Sequence, residues 1–409
     1  MPRPPAAIVG SGLKAPGGRT PEELFAALCA ARPTAEPFRD DRLGPDMAML
    51  ACRVAGFAAQ DYLSAVEARR LDRCQQLAIA AAQDAVDEAA IDLPPPERCA
   101  VVCGVGLGAS ATYEEQFTNL SHRGPRGLSP LTVPIIMASS TAAQLSLRFR
   151  FRGPALTVSA ACASGAVAIG EGLELIRRGA ADAVLAGGVE ALVNYAAMCS
   201  FLRLDAMTRS VTEPALASRP FDVDRDGFVL GEGAGFMLLC RADTAERPLG
   251  FVLGYGTCSD AHHLVAPPPD GEGALRCMRL ALDDAGITTN QVNHVNAHGT
   301  STPLNDLAEG RALTALFGGR RVPVTSNKGV TGHLIAGSGA VEAIMTLWSL
   351  RRRQVPPVAG LVHLDPAIEP LDVVRNTPRQ LGDGYGLTNS FGFGGVNASL
   401  VIGVNPNAG

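Results

Sequence analysis

The chain has 409 residues, 47% of them hydrophobic and 18% charged, with a formal net charge of −5. That length buries a large core as one α/β body or two fused halves, and the acidic balance argues against a nucleic-acid ligand. A membrane span needs roughly 18–20 apolar residues, and the best run, starting at Ala183, is interrupted by Glu190.

Strand and helix signals alternate along the chain. MPRPPAAIVGSG enters a strand and a glycine turn almost at once, which predicts no signal peptide. A helix follows over TPEELFAALCAA, with Thr20 placed to cap it. Residues 63–89 read as one helix whose exit is marked by Asp92 and Pro94–Pro96. CAVVCGVGLGA (99–109) reads as a buried strand ending in glycines, and TAAQLSLRFRF as a helix leading into the next strand. ADAVLAGGVEA (181–191) is another apolar strand, and residues 227–241 read as paired strands. From residue 249 the pattern restarts: strand, helix over 273–287, strand at His294, helix from Asp306, strand at Val322, helix from Ala340. Two runs of βα units predict an α/β fold of two pseudo-duplicated halves, residues 1–248 and 249–409.

Ten cysteines are scattered without CxxC pairs, so they are expected to be free thiols in a reducing cytoplasm, with no disulfide and no zinc. Basic residues are nearly all arginine; Lys14 and Lys328 are the two lysines.

The chemistry concentrates around Cys162. ALTVSAACASGAVAIGEG (155–172) reads as a β-branched strand, a small-residue turn and a helix starting at or just after the thiol. The positive end of a helix favours thiolate. Two glycine-framed histidines, His298 in VNAHGTSTP and His333 in SNKGVTGHLIAGSG, answer it downstream, and NSFGFGGVNAS (389–399) adds a glycine loop near the end. A thiol paired with histidines on other loops is a candidate nucleophile. His262 and His263 hint at a metal, but no third ligand follows, which favours a loop role.

TVSAACASG, RPFDVDRDGFVLGEGAG, VNAHGTSTPLNDLAE, SNKGVTGHLIAGSGAVEA and NSFGFGGVNAS together resemble the motifs of elongating β-ketoacyl-ACP synthases, in order and over the whole chain. The resemblance implies the five-layered αβαβα thiolase fold and a decarboxylating Claisen condensation without cofactor or metal. Cys162 would accept the acyl group. His298 and His333 would serve malonyl decarboxylation, with Lys328 supporting them. The backbone N–H groups of Cys162 and Phe393 would form an oxyanion hole, and Thr300 and Thr302 would hold the pantetheine arm. Asp306, Glu309 and Glu342 would organise the histidine loops. Leu107, Phe201 and Phe393 align with positions that gate or line the acyl pocket, and Thr132 and Ile136 fall where a partner subunit closes the tunnel.

The implied partner is an acyl carrier protein, with no nucleic acid and no membrane. Arg69, Arg70 and Arg73, read on one helix, would dock it, with Arg123, Arg126, Arg203 and Arg209 adding charge. The chain would pair as a homodimer, or as a heterodimer with a chain-length-factor-like subunit. Fatty-acid and polyketide or polyene pathways both fit. A thiolase needs a second cysteine near the last glycine loop, which is absent; the initiating synthases carry asparagine where His333 stands; chain-length factors lack the cysteine. Asn327 and Ser338 depart from the usual Ser/Thr and Ala.

Overall fold

The computed structural model describes residues 3–44, 47–89 and 91–405. Eleven strands form the main path of its sheet: β1 (Ala6–Lys14), β2 (Cys99–Val105), β3 (Ala155–Val158), β4 (Ala183–Ala191), β5 (Leu230–Arg241), β6 (Gly250–Ser259), β7 (Val292–Asn296), β8 (Pro323–Thr325), β9 (Asp372–Val373), β10 (Tyr385–Gly392) and β11 (Val396–Gly403). Their order is β9-β8-β7-β10-β11-β6-β1-β5-β4-β2-β3.

Read outward from the centre, the two halves repeat one pattern. β1 pairs antiparallel with β5 and β5 with β4, then β4–β2 and β2–β3 are parallel. Likewise β6–β11 and β11–β10 are antiparallel, and β10–β7 and β7–β8 parallel. The halves join through a short antiparallel contact of Ala6–Ile8 with Gly250–Val252.

Glycine spacing repeats as well. On β1, a Cβ at Gly10 or Gly12 would strike the Ala85 or Ala81 carbonyl of the helix Arg73–Glu88. On β6, Gly254 and Gly256 meet the Ala281 and Cys277 carbonyls of the helix Glu272–Ala285 in the same way. Each outer helix therefore lies close on its sheet because two alternate positions carry no side chain. Between the half-sheets cross two buried helices, Ser164–Arg177 and Ser338–Arg352, touching where Gly165 faces Ala336 and Gly339 faces Ala166. Helix, sheet, helix pair, sheet and helix give the five layers of the thiolase fold, with apolar side chains buried between them.

Two expected elements differ. The segment 63–89 is two helices, Ala65–Arg70 and Arg73–Glu88, because Asp72 breaks the run: its carboxylate caps Cys74 and Gln75 closes the box. The expected strand pair over 227–241 is the single strand β5. Its glycines are close approaches rather than turns: Gly231 and Gly233 face Leu334, and Gly235 faces Val341.

Candidate active site

Cys162 sits in the 3-10 turn Ala161–Ala163, between β3 and the central helix Ser164–Arg177. Ser164 Oγ locks the turn, accepting from Ala160 N at 2.9 Å and donating to Ala161 O at 2.7 Å. Ala161 is held at φ 47°, a left-handed conformation that costs a non-glycine residue energy. The thiol is buried, and the expected thiolate does not follow from the helix alone. Burial pushes Cys162 up to about 11, while the N–H of Phe393, the Lys328 charge and the N–H of Cys162 itself pull it back.

His333 lies on the loop entering the other central helix. Its backbone is pinned to β5, with His333 N donating to Val229 O at 2.8 Å and Gly231 N donating to His333 O at 2.9 Å. Ile335 N–H donates to His333 Nδ1 at 3.2 Å. Ser338 Oγ is 3.0 Å from the same nitrogen and already accepts Leu334 N–H, so its own proton is free for Nδ1. Two donors on Nδ1 put the ring proton on Nε2, which faces Cys162 Sγ at 3.1 Å. The departure at Ser338 thus fixes the tautomer.

His298 follows β7. Its N–H and that of Gly299 donate to Glu309 at 2.9 and 2.8 Å, and Asn389 Nδ2 donates to the same carboxylate at 3.2 Å. Lys328 Nζ donates to His298 O at 2.6 Å and stands 3.4 Å from Nδ1, so this ring too carries its proton on Nε2. Glu342 takes the remaining Lys328 bond in a fully buried ion pair. Burial holds both imidazoles well below the ordinary histidine value, and the nearby Lys328 charge adds to it. Both rings are therefore neutral donors at neutral pH. One ring nitrogen of each and Cys162 Sγ all lie within 4.8 Å of one another. This trio suits a metal poorly: a ligating imidazole usually donates its far N–H to an acceptor, whereas both far nitrogens here face donors.

A cavity of about 400 Å³ opens onto the trio, lined also by Thr300, Thr302, Phe228, Phe391 and Phe393. Thr300 and Thr302 share a 2.9 Å hydrogen bond along its edge, and Thr302 caps the helix Pro303–Phe317. Asp306 accepts from Phe221 N at 2.8 Å and from Ser301 N at 3.2 Å, which ties down the turn between His298 and that helix. Phe393 stands at the tip of the β10–β11 hairpin, where Gly394 and Gly395 adopt φ 84° and 72°.

Other expected residues lie elsewhere. Leu107 is 62% exposed and outside the cavity; its loop is clamped by Glu190, which accepts from the N–H groups of Gly106, Leu107 and Gly108 at 2.8, 3.2 and 2.8 Å. Phe201 stacks edge-on against Phe228 at 5.9 Å, one side chain behind the cavity wall. Thr132 and Ile136 lie on the short helix Thr132–Ile136, on the surface and away from this chain's own cavity. Arg69 and Arg70 are exposed at the end of their helix, and Arg126 and Arg203 are exposed too. Arg73 does not join them: it begins the next helix, pairs with buried Glu232 at 2.8 Å and stacks over Phe57. His263 Nδ1 accepts the Val265 and Ala266 N–H groups, a loop role as expected.

Sequence reasoning missed Phe228 and Phe391. Their rings meet His333 and His298 edge-on at 5.1 and 5.9 Å and wall the imidazoles. Their only signal was an aromatic beside glycine in DGF and SFGF.

A buried thiol beside two neutral imidazoles in a thiolase fold is the donor set of a candidate cysteine-dependent acyl-transfer site. Residues 4–245 match the family model "Beta-ketoacyl synthase, N-terminal domain" and residues 249–362 match "Beta-ketoacyl synthase, C-terminal domain". The chain belongs to the beta-ketoacyl synthase family. It is 39% identical to 3-oxoacyl-[acyl-carrier-protein] synthase 2 of Staphylococcus aureus (strain COL) over 361 residues, 86% of this chain and 87% of that one. It is 36% identical to the protein of the same name from Synechocystis sp. over 411 residues, 97% of each. Among solved structures, the ishigamide ketosynthase/chain length factor superposes with a TM-score of 0.91 at 32% identity, covering 98% of this chain and 100% of that one.

Proposed function

We propose that this chain is a decarboxylating β-ketoacyl-[acyl-carrier-protein] synthase that extends an acyl, polyketide or polyene chain held on Cys162. The observation that carries the reading is the convergence of Cys162 Sγ with the ring nitrogens of His298 and His333. In the first half-reaction Sγ attacks the carrier thioester carbonyl. The carrier C–S bond breaks, the new C–S bond forms on Cys162, and the carrier thiol leaves with the proton. The tetrahedral oxyanion would sit between the N–H groups of Cys162 and Phe393, the same groups that oppose the burial-driven rise of the Cys162 thiol. In the second half-reaction malonyl thioester enters along Thr300 and Thr302. Its carboxylate leaves as CO2, and the electrons left behind form an enolate whose oxygen would accept from both Nε2–H groups. The enolate carbon then attacks the acyl carbonyl, a C–C bond forms, and Cys162 is released as thiolate. Losing one such oxyanion donor typically costs ~10²–10³ in rate.

The relatives' names specify carrier-bound substrates, and exposed Arg69, Arg70, Arg126 and Arg203 offer positive charge to an acidic carrier. A two-chain assembly is favoured by one feature. β3 is a sheet edge with exposed Ala155 and Leu156, which a second copy or a chain-length-factor-like subunit would cover. Residues 1–248 and 249–409 would then act as two halves, one bringing the thiol and the other the imidazoles. We place the reaction in the cytoplasm; among the described residues no helix is long and apolar enough to cross a membrane.

The experiment is mass measurement of the protein after incubation with carrier-loaded acyl donors of graded length. A covalent acyl adduct on Cys162, lost in Cys162→Ala together with condensation, is expected. Condensation retained by Cys162→Ala would overturn the assignment. Cys162→Gln should keep malonyl decarboxylation while losing condensation. Arg69→Glu with Arg70→Glu should weaken turnover of carrier-bound substrates far more than of small thioesters.

A further inference from the structure

We propose that Arg225 is the positioning residue for the Thr300–Thr302 edge of the channel, clamping from behind the backbone that presents both hydroxyls. The inference rests on the reading of that edge as the contact for the pantetheine arm. Arg225 is 8% exposed, and its guanidinium makes four hydrogen bonds to neighbouring chain. Nε donates to Thr302 O at 3.3 Å, Nη2 to Pro303 O at 3.1 Å, and Nη1 to Asp222 O and Asp365 Oδ2, both at 2.7 Å. Nε also lies 3.8 Å from Asp306 Oδ2, the carboxylate that accepts Ser301 N–H. One cation thus holds the carbonyls on the far side of the turn and balances the acid that holds its middle.

The turn needs outside support. Ser301 adopts φ 70° and Gly299 φ 40°, so the backbone between the catalytic His298 and Thr302 is bent into conformations that a free chain leaves. Gly227 N adds a bond to Ser301 O at 3.0 Å, from the segment that carries Arg225. This gives a task to RPFDVDRDGF, the one sequence motif that supplies none of the reacting groups. Lysine cannot do the same work, since one ammonium lacks the planar fork that reaches acceptors on several sides. Arg225 touches neither the thiol nor either imidazole, which Glu309, Lys328 and Ile335 hold independently.

The test compares wild type with Arg225→Lys and Arg225→Gln on a pantetheine thioester and on a simple alkyl thioester of the same acyl group. Loss of charged hydrogen bonds behind the turn should raise KM for the pantetheine thioester roughly tenfold to hundredfold. The alkyl thioester's kcat/KM and the alkylation rate of Cys162 by iodoacetamide should stay near wild type. Equal losses on both thioesters, or slowed alkylation, would overturn the proposal in favour of a general structural role; so would an unchanged KM. Should both variants fail to fold, Asp365→Asn removes the charge from one acceptor that orients the Arg225 guanidinium and should give a smaller KM rise with the same substrate split. An unchanged KM there would also overturn it. Thr300→Ala with Thr302→Ala separates the two claims. If that pair leaves the pantetheine KM unchanged, the contact reading falls, whatever Arg225 does.

Discussion

His333 Nε2 stands 3.1 Å from Cys162 Sγ, while the opposite nitrogen of the same ring receives the Ile335 N–H at 3.2 Å. The geometry makes the imidazole a proton donor towards sulfur, so it stabilises thiolate instead of removing the thiol proton. Burial raises Cys162 to about 11. The thiol is then protonated at neutral pH, and its ionised fraction grows as pH rises towards that value. Alkylation by iodoacetamide should keep accelerating well above neutral pH. A rate already at its plateau near neutral pH would show a preformed thiolate and refute the reading that burial outweighs the donors around the sulfur.

Lys328 and Glu342 form a fully buried ion pair. Removing one half leaves a buried charge alone, typically about 3–5 kcal/mol of lost stability. Lys328→Met should therefore destabilise strongly, and Lys328→Met with Glu342→Gln should recover most of the loss in a denaturant double-mutant cycle. Activity should not recover with it, because His298 Nδ1 has lost the ammonium that keeps the ring's proton on Nε2. Recovery of malonyl decarboxylation in the double variant would mean that Lys328 only balances Glu342.

The convergence of Cys162, His298 and His333 was legible in sequence because each part of the candidate site needs unusual backbone chemistry. Cys162, His298 and His333 are framed by small residues that permit turns, and those turns now show φ 47° at Ala161, 40° at Gly299 and 65° at Gly332. The alternation of strand and helix likewise exposed the fold. What stayed hidden depended on distant partners. Arg73 looked like its neighbours Arg69 and Arg70, and only Glu232, 159 residues away, removes it from the surface set. The glycines of β5 read as a turn, since nothing local says that Leu334 and Val341 approach there. Leu107 aligns with the family's pocket positions, and nothing local shows that Glu190, 83 residues further on, clamps its loop.

That clamp predicts a pH dependence of stability. Burial raises Glu190 to about 7, against the opposing pull of the Gly108, Leu107 and Gly106 N–H groups, from an ordinary value of 4.5. Between those values the unfolded chain has already released a proton that the native state keeps. Ionising Glu190 therefore costs native stability progressively as pH rises through this interval. Glu190→Gln cannot ionise. Its stability relative to wild type should improve from about pH 5 to about pH 7 and then hold a constant offset. Urea midpoints for both proteins across that range decide it; a gap that does not change with pH would place the carboxylate's ionisation outside this window.

The central helix pair predicts how finely the thiol must be placed. A Cβ at Gly165 would lie 2.6 Å from Ala336 O and 2.9 Å from Ala340 N, both backbone atoms of the His333 side of the site. Gly165→Ala must therefore push the Cys162 helix off the His333 helix, and Sγ with it. Gly170→Ala, on the same helix, meets the Tyr255 ring at 2.4 Å instead. Overpacking of either kind costs about 1–3 kcal/mol, so both variants should lose comparable thermal stability. Their chemistry should differ. A displacement near 1 Å between reacting groups can cost ~10²-fold in rate, and Gly165→Ala alone should lose Cys162 acylation by about that factor. Comparable acylation by the two variants would mean that the loops carrying Cys162 and His333, and not the helix contact, set the distance between them.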